Sequence, residues 1–171
     1  MYFSALGTSR LILLPICWQD IHDIMALKTD VGAFGHMLGG VRTRLQVELE
    51  MAEDLQSWGQ YRIGIYTVHE KKADGSLGQF LGLTGIHNRP DGRGFALRFA
   101  LWAWARGKGY AREAASVVLN EAHARNLKRV IAITKESNIG SRRILGGIGM
   151  HVESSFIRDN HRMLLYVSEY V

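Results

Sequence analysis

Two glycines between an apolar strand and a long helix constrain this sequence more than any other feature. Gly107 and Gly109 belong to segment 106–111, which reads Arg-Gly-Lys-Gly-Tyr-Ala. The first turn of a helix presents backbone N–H groups that have no intrahelical partner, and the positive end of the helix dipole lies there. Glycine lets the backbone approach phosphate oxygens closely and adopt a positive φ. The segment therefore predicts a phosphate-binding turn, to which Arg106 and Lys108 add positive charge.

The segments on either side of this turn have clear patterns. Apolar residues before it predict a strand over 95–103. After it, alanines and a valine recur with helical spacing from Ala111 to Ala122, which predicts one buried helix face. A continuous apolar run over 129–134 then predicts a strand that is covered on both faces. Segment 95–134 is thus predicted to form one strand–turn–helix–strand unit.

The rest of the chain alternates between strand and helix patterns, giving the order β-α-α-β-β-β-α-β-α-β-β. Further strands are predicted at 11–14, 62–68, 79–86, 150–158 and 161–168, and further helices at 18–27, 41–58 and 139–148. Asn138 is a candidate N-cap for the last helix, and Gly149 a candidate left-handed end. Asp159-Asn160 predicts a hairpin turn, and the Gly-rich segment 32–40 predicts a loop. This pattern indicates a mixed α/β domain without an internal boundary.

Length and composition narrow the class of protein. A chain of 171 residues suits one domain spanning 1–171, and 47% hydrophobic content is typical of a soluble globular protein. Cys17, the single cysteine, cannot form an intramolecular disulfide, which favours a reducing, cytoplasmic compartment; we expect it to be a small buried hydrophobe. The sequence shows neither a secretion signal nor an apolar run long enough for a bilayer. A formal charge of +5 suits a polyanionic ligand.

The turn does not match two other phosphate-binding motifs. A P-loop requires a terminal Lys-Ser/Thr, and the dinucleotide fingerprint requires a third glycine and a downstream acid. Strand 95–103 also follows the turn-rich segment 88–94 and is expected to be antiparallel to the strand before it. A dinucleotide fold would open with parallel βαβ units instead.

The turn is one of several motifs that follow each other along the chain. They are Thr8–Leu13, Gly82–Gly85, Arg106–Ala111 with Glu113-Ala114 after it, Asn138–Ser141 and Leu145–Met150. In this order and spacing they resemble the GNAT N-acetyltransferases. The first two resemble the branch of that family which contains the ribosomal-protein alanine acetyltransferases. The resemblance covers almost the whole chain.

This resemblance implies a single-domain α/β (α+β) fold, in which a central mixed, mostly antiparallel sheet is splayed in the middle and flanked by helices. Acetyl-CoA would lie in the opening as co-substrate, with no metal. Its pantetheine would pair with the backbone of Leu101, Trp102 and Ala103. Its diphosphate would be held by Arg106, Gly107, Lys108, Gly109, Tyr110 and Ala111. Asn138 and Ser141 would lie beside the pantetheine and thiol, the alternative being that Asn138 only caps its helix and Ser141 only begins it.

The catalytic residues are less well specified. Acyl transfer to an amine benefits from a base, a donor to the oxyanion and a proton for the leaving thiolate. Many members of the family carry a Glu in the fourth strand, whereas 95–99 here has no carboxylate, and Leu145 stands where many members carry a Tyr. The remaining candidates are His87, Glu136 and Ser141, the last as proton donor to the thiolate. A mechanism that relies on positioning and water is the alternative.

We therefore expect an acetyl-CoA-dependent N-acyltransferase that acts on a primary amine, either a protein N-terminus or a small molecule, by direct transfer in a ternary complex. Homodimers are common among the relatives that the resemblance implies, and no membrane partner is expected. The missing Glu and Tyr favour one alternative, a non-catalytic acyl-CoA-binding regulatory module. A nucleic-acid-binding protein is disfavoured, because the basic residues are scattered and no stacking platform is evident.

Overall fold

Residues 4–170, which the structure (a computed structural model) describes, form eight strands in one sheet and five α-helices. The strands are β1 (Leu6–Gly7), β2 (Leu11–Pro15), β3 (Ile65–Lys71), β4 (Leu77–Asn88), β5 (Phe95–Leu101), β6 (Arg129–Lys135), β7 (His151–Arg158) and β8 (His161–Glu169). The helices are α1 (Ile21–Thr29), α2 (Val31–Phe34), α3 (Arg44–Tyr61), α4 (Tyr110–Ala124) and α5 (Ile139–Gly147), with short 3-10 helices at Trp18–Asp20 and Ala103–Ala105. Along the described residues, none of the helices combines the length and apolar character that crossing a membrane requires.

The sheet is mixed and mostly antiparallel, with the strand order β1-β2-β3-β4-β5-β6-β8-β7. Strands β5 and β6 run parallel to each other, as strands joined by a crossover helix do. Among the described residues these two strands share one paired position, Ala96 opposite Ile131, and they diverge beyond it. The predicted sheet, splayed in the middle and flanked by helices, is therefore confirmed.

Helix α4 is the crossover between the two diverging strands. The predicted buried face is present, because Ala114, Ala115, Val118 and Ala122 are all buried. Small side chains allow the helix axis to approach the sheet closely, and α4 packs against both β4 and β5. Its N-terminus is thereby fixed at the place where the sheet opens.

The predicted ends and turns in the last third of the chain are confirmed. Asn138 caps α5, since its side-chain oxygen accepts the N–H of Ser141 at 3.1 Å. Gly149 has a φ of 95° after the end of that helix. Asp159 and Asn160 both have positive φ, as the hairpin turn between β7 and β8 requires.

The predicted loop over 32–40 is wrong at its beginning. Asp30 accepts the N–H of Ala33 at 2.8 Å and so starts a single helical turn, α2, whose Ala33 and Phe34 are buried. The helix predicted from residue 41 begins at Arg44. Thr43 ends the loop, because it forms a reciprocal capping box with Gln46.

The strand predicted over 62–68 begins three residues later, at Ile65, and runs to Lys71. Arg62 has a φ of 56° and ends α3 in the left-handed conformation. Gly64 lies directly against the ring of Trp58, where a side chain would overlap it. Segment 62–64 is therefore the exit of a helix, and its apolar pattern reflects packing against that helix.

The strand predicted over 95–103 ends at Leu101, because a 3-10 helix begins at Ala103. Trp102 and Trp104 therefore do not belong to the strand. Trp102 packs against the core, whereas Trp104 is 47% exposed. The expectation of a buried Cys17 is also wrong, since this residue is exposed.

Candidate functional site

A cleft of about 950 Å³ opens where β5 and β6 diverge. One end is formed by the turn before α4, and the walls by β5, β6 and the first turns of α5. The segment between α2 and α3 and the end of β4 complete its lining. The splay of the sheet thus creates one continuous groove that reaches the glycine turn.

The glycine turn has the geometry of an anion site. Gly107 and Gly109 have φ of 75° and 82°, in the left-handed region that favours glycine, and Gly109 is the N-cap of α4. No acceptor within residues 4–170 bonds to the backbone N–H groups of 107–112. A row of unpaired N–H groups at the positive end of a helix dipole favours a phosphate. Gly107, Gly109, Tyr110 and Ala111 all line the cleft.

The side chains of Arg106 and Lys108, which are predicted to add positive charge to the turn, are placed differently from each other. The guanidinium of Arg106 donates to the carbonyls of Gly32 at 2.7 Å and Ala33 at 3.2 Å, so it ties α2 to the end of β5. Lys108 lies off the cleft on the exposed side of the turn. Of the two, Arg106 lines the cleft and Lys108 does not.

Two side chains near the N-terminus, those of Thr8 and Arg10, contact the turn and the first turn of α4. Glu113, in the first turn of α4, accepts from the hydroxyl of Thr8 and from Nε of Arg10 at 2.9 Å. Arg10 also donates to the carbonyl of Lys108 at 2.9 Å and lies over the ring of Tyr110, 4.6 Å from its centre. We call Thr8, Arg10 and Glu113 the brace. It explains why the N-terminal motif and the glycine turn occur together in one sequence.

The hydrogen bonds between β5 and β4 show which edge of β5 faces the cleft, because the cleft lies on the opposite edge. The carbonyl of Arg98 accepts from Thr84 of β4, and the N–H of Trp102 donates to Leu81. Because successive residues of a strand turn their backbone groups to opposite edges, Phe99 and Leu101 point into the splay. Of the three residues predicted to pair with pantetheine, Leu101 lines the cleft, while Trp102 and Ala103 lie beyond the strand.

The first turn of α5 forms the opposite wall. Asn138 and Ser141 both line the cleft, as does Leu145. The side-chain oxygen of Asn138 is engaged in capping the helix through Ser141 N–H, so the capping alternative holds for this atom. Ser141 borders the cleft, and its backbone N–H is the group engaged by this cap.

His87 lies at the end of β4 and lines the cleft, with its Nδ1 buried and without a partner in the described part of the chain. Burial, together with the positive charges of Arg98 and Arg89, lowers the pKa of His87 to about 3. The imidazole is therefore neutral at pH 7 and a much weaker base than its ordinary value suggests. Its location supports a role in the site, whereas its pKa argues against proton abstraction in this state.

Glu136 is not brought into the cleft. Its carboxylate is half exposed and pairs with Arg162 of β8 at 3.3 Å. The residue follows β6, and its backbone continues the pairing with β8 through the carbonyl of Arg162 at 2.9 Å. The pairing explains why the carboxylate turns away from the groove.

The structure also brings together a charged cluster that the sequence patterns did not predict. It consists of Lys28 on α1, Arg42, Glu50 and Asp54 on α3, and Arg98 on β5. Lys28 is fully buried and reaches Glu50 at 3.3 Å, and Arg98 reaches Asp54 at 3.5 Å. The sequence did contain a signal that Asp54 is buried, because it falls on the same helical stripe as the buried residues Val47, Met51 and Trp58.

A splayed mixed sheet with a glycine turn at the N-terminus of its crossover helix defines a class of acyl-CoA-dependent transferases. The acetyltransferase (GNAT) domain profile matches residues 10–151. The chain belongs to the GNAT family and is, by class, an acetyl-CoA-dependent N-acetyltransferase. No curated protein matches the sequence. Within residues 4–170 there is no cluster of three His, Cys, Asp or Glu side chains that could hold a metal ion.

Solved structures share the fold at low sequence identity. An acetyltransferase from Agrobacterium tumefaciens has a TM-score of 0.82 and 23% identity, covering 99% of this chain and 98% of its own. A ribosomal-protein-S5-alanine acetyltransferase from Vibrio fischeri has a TM-score of 0.74 and 16% identity, over 97% and 96%. RimJ from Mycobacterium smegmatis, in complex with CoA-disulfide, has a TM-score of 0.75 and 17% identity, over 99% and 90%. At these identities the likeness is one of fold.

Proposed function

We propose that this protein transfers an acetyl group from acetyl-CoA directly to a primary amine, with both substrates bound in the cleft between β5 and β6. The observation that carries the proposal is the row of unpaired N–H groups at 107–112, which opens onto that cleft. RimJ from Mycobacterium smegmatis, which shares the fold, is in complex with CoA-disulfide, and this supports CoA as the ligand of the cleft.

The cofactor site follows from the cleft walls. The diphosphate binds the N–H groups of segment 107–111, and the brace holds these groups in place. The pantetheine pairs with the edge of β5 at Phe99 and at the N–H of Leu101, whose carbonyl already accepts from Arg106 at 3.3 Å, in the manner of an added strand. The thioester then lies near Asn138 and Ser141 at the start of α5. Arg112, in the first turn of α4, also lines the cleft and donates to the carbonyl of Gly147 at 3.0 Å, which joins the start of α4 to the end of α5.

The chemical step needs few side chains. The amine nitrogen attacks the thioester carbon, the C–S bond breaks, and the proton lost by the amine is balanced by the proton gained by the thiolate. Ser141 is the proposed donor to that thiolate, since it is a hydroxyl residue that lines the cleft at the start of α5. A water chain is the proposed route for the amine proton, because His87 with a pKa of about 3 is a weak base. Alignment of the two substrates then supplies most of the acceleration.

The competing proposal is a regulatory module that binds acyl-CoA without turnover, as the missing Glu and Tyr suggest. Binding of CoA does not separate the two, whereas turnover does. Incubation with acetyl-CoA and a panel of amino acids, polyamines and peptide N-termini should release free CoA thiol with at least one acceptor. Binding of CoA without release from any acceptor would favour the regulatory module.

Substitution of Ser141 tests the assigned donor. Ser141→Ala should lower kcat by about 10²-fold or more and leave the affinity for CoA near that of the wild type. Ser137→Ala is the matched control, because Ser137 is an exposed serine in the loop before α5 that also borders the cleft. An unchanged kcat in Ser141→Ala would leave positioning and water as the whole mechanism.

A further inference from the structure

Cationic side chains gather at the end of the cleft opposite the phosphate turn. Arg98 lies three residues before Leu101, where β5 ends near the turn, which places it roughly 10 Å back along the strand. Arg42, His87 and Arg89 also line the cleft. His87 pairs in register with Ala96 of β5, so its side chain shares a sheet face with that of Arg98.

Arg98 has hydrogen-bonding capacity that the protein does not use. One of its terminal nitrogens reaches Asp54 at 3.5 Å, a long contact, while Nε has no partner in residues 4–170. The Nδ1 atom of His87 is equally without a partner there. The side chain of Arg98 keeps 17% of its exposure and borders the cleft. Two buried, unsatisfied nitrogens thus belong to residues that line the groove on one face of the sheet.

The cluster around Arg98 also carries an excess of positive charge. Lys28, Arg42 and Arg98 are balanced by two carboxylates, Glu50 and Asp54. Although burial opposes it, the neighbouring cations keep the pKa of Glu50 below its usual value, so this group is ionised. Burial raises the pKa of Asp54, which weakens its share of the balance. Burial likewise lowers the pKa of Lys28, and with Lys28 and Asp54 both neutral the guanidiniums of Arg42 and Arg98 still exceed Glu50 by about one positive charge.

We propose that this end of the cleft is an anion subsite, and that the acceptor is a primary amine with a carboxylate close to its nitrogen. The inference rests on the proposed function and names its substrate class. The carboxylate accepts from Nε of Arg98 and from Nδ1–H of neutral His87, while Arg89 at the rim is paired with Asp91 at 2.7 Å. Hydrogen bonds to an ionised acceptor are stronger than neutral ones and fix orientation. They would hold the amine facing the start of α5.

Two kinds of acceptor have a carboxylate close to a primary amine: a free amino acid, and a peptide N-terminus with an acidic second residue. Calorimetry on CoA-loaded protein compares N-acetylglycine with N-acetylglycinamide, and N-acetyl-Ser-Asp amide with N-acetyl-Ser-Asn amide. These are product analogues, so binding is read without turnover. The carboxylate member of one pair should bind about 10- to 100-fold more tightly than its neutral partner. The pair that shows this preference identifies the source.

Variants of the subsite complete the test. Arg98→Gln should abolish the preference, and Arg89→Gln should reduce it without disturbing the buried contact to Asp54. Arg44→Gln is the control, because Arg44 is on α3 with its side chain 84% exposed. Equal affinity within both pairs, or a preference that survives both Arg98→Gln and Arg89→Gln, would overturn the inference. A preference for the carboxylate without acetyl transfer to the matching free amine would support the subsite and count against the proposed function.

Discussion

Gly109 meets two requirements of the phosphate turn at once. It is the N-cap of α4 with a φ of 82°, and a side chain there would lie 3.3 Å from the guanidinium of Arg10. A non-glycine residue is strained by this φ, and a carboxylate would additionally repel a diphosphate bound at the N–H groups. The strain and the charge can be separated by two substitutions at the same position.

Gly109→Ala should weaken CoA binding modestly, and Gly109→Asp should weaken it at least about tenfold further. The alanine carries the backbone strain alone, so the difference between the two variants reports the negative charge. Calorimetric titration with CoA at low and high salt is the measurement, and the difference should shrink at high salt. Similar CoA affinity in folded Ala and Asp variants would contradict the assignment of the turn.

His87 gives the fold a specific dependence on pH. Its pKa is about 3 in the folded chain, because of burial and the nearby arginines, against an ordinary value of 6.5. Between these values the unfolded chain binds the proton and the folded chain does not. The free energy of unfolding therefore falls as pH drops from 6.5 toward 3, by up to about 1.4 kcal/mol per pH unit from this group.

His87→Gln should remove this contribution and flatten the fall in stability below pH 6.5. Denaturant unfolding at pH 7, 6, 5 and 4 measures the profile, with His22→Gln on the exposed side of α1 as control. Parallel profiles for the wild type and His87→Gln would show that the imidazole titrates with a value near its ordinary one.

The brace joins the start of the chain to α4, two segments about a hundred residues apart. Arg10 contributes an ion pair with Glu113, a bond to the carbonyl of Lys108 and a stacking contact on Tyr110. The pair is partly exposed, so its effect on global stability is small. Its effect on the position of the turn is larger, because the side chain of Arg10 donates to the carbonyl of Lys108 within the turn.

Arg10→Gln should weaken CoA binding several-fold while lowering the free energy of unfolding by less than about 1 kcal/mol. Arg125→Gln is a matched control, since Arg125 forms a similar partly exposed pair with Glu121 at the other end of α4. The measurements are CoA titration and denaturant unfolding. If both variants changed CoA affinity equally, the brace would have no special relation to the turn.

How much could be predicted from the sequence differs between the two ends of the cleft. The turn at 106–111 and the cap at Asn138 depend on residues within one or two helical turns, and both are present as predicted. The charged cluster depends on contacts such as Asp54 to Arg98, which are 44 residues apart. The low pKa of His87 has the same origin. Local patterns carry no information on such pairings, so this end of the cleft emerged only with the fold.

The sheet as a whole consists of two parts that meet at β5 and β6. Strands β1 to β5 are antiparallel to one another, and β6 to β8 form a second antiparallel set. Within the described chain, Ala96 opposite Ile131 is the one paired position between the sets, and α4 connects them covalently. A ligand that pairs with the free edge of β5 would therefore extend the sheet where it is weakest.

Amide hydrogen exchange tests this consequence for the whole molecule. With CoA at about 100 times its dissociation constant, binding should stabilise the fold by about 2.7 kcal/mol. Exchange at Phe99 and Leu101 should slow strongly, because their N–H groups lie on the free edge of β5. Amides on the exposed outer edge of β7, at the end of the second set, exchange by local opening and should change little. Unchanged exchange at Phe99 and Leu101, together with a raised melting temperature, would place the bound pantetheine elsewhere than on β5.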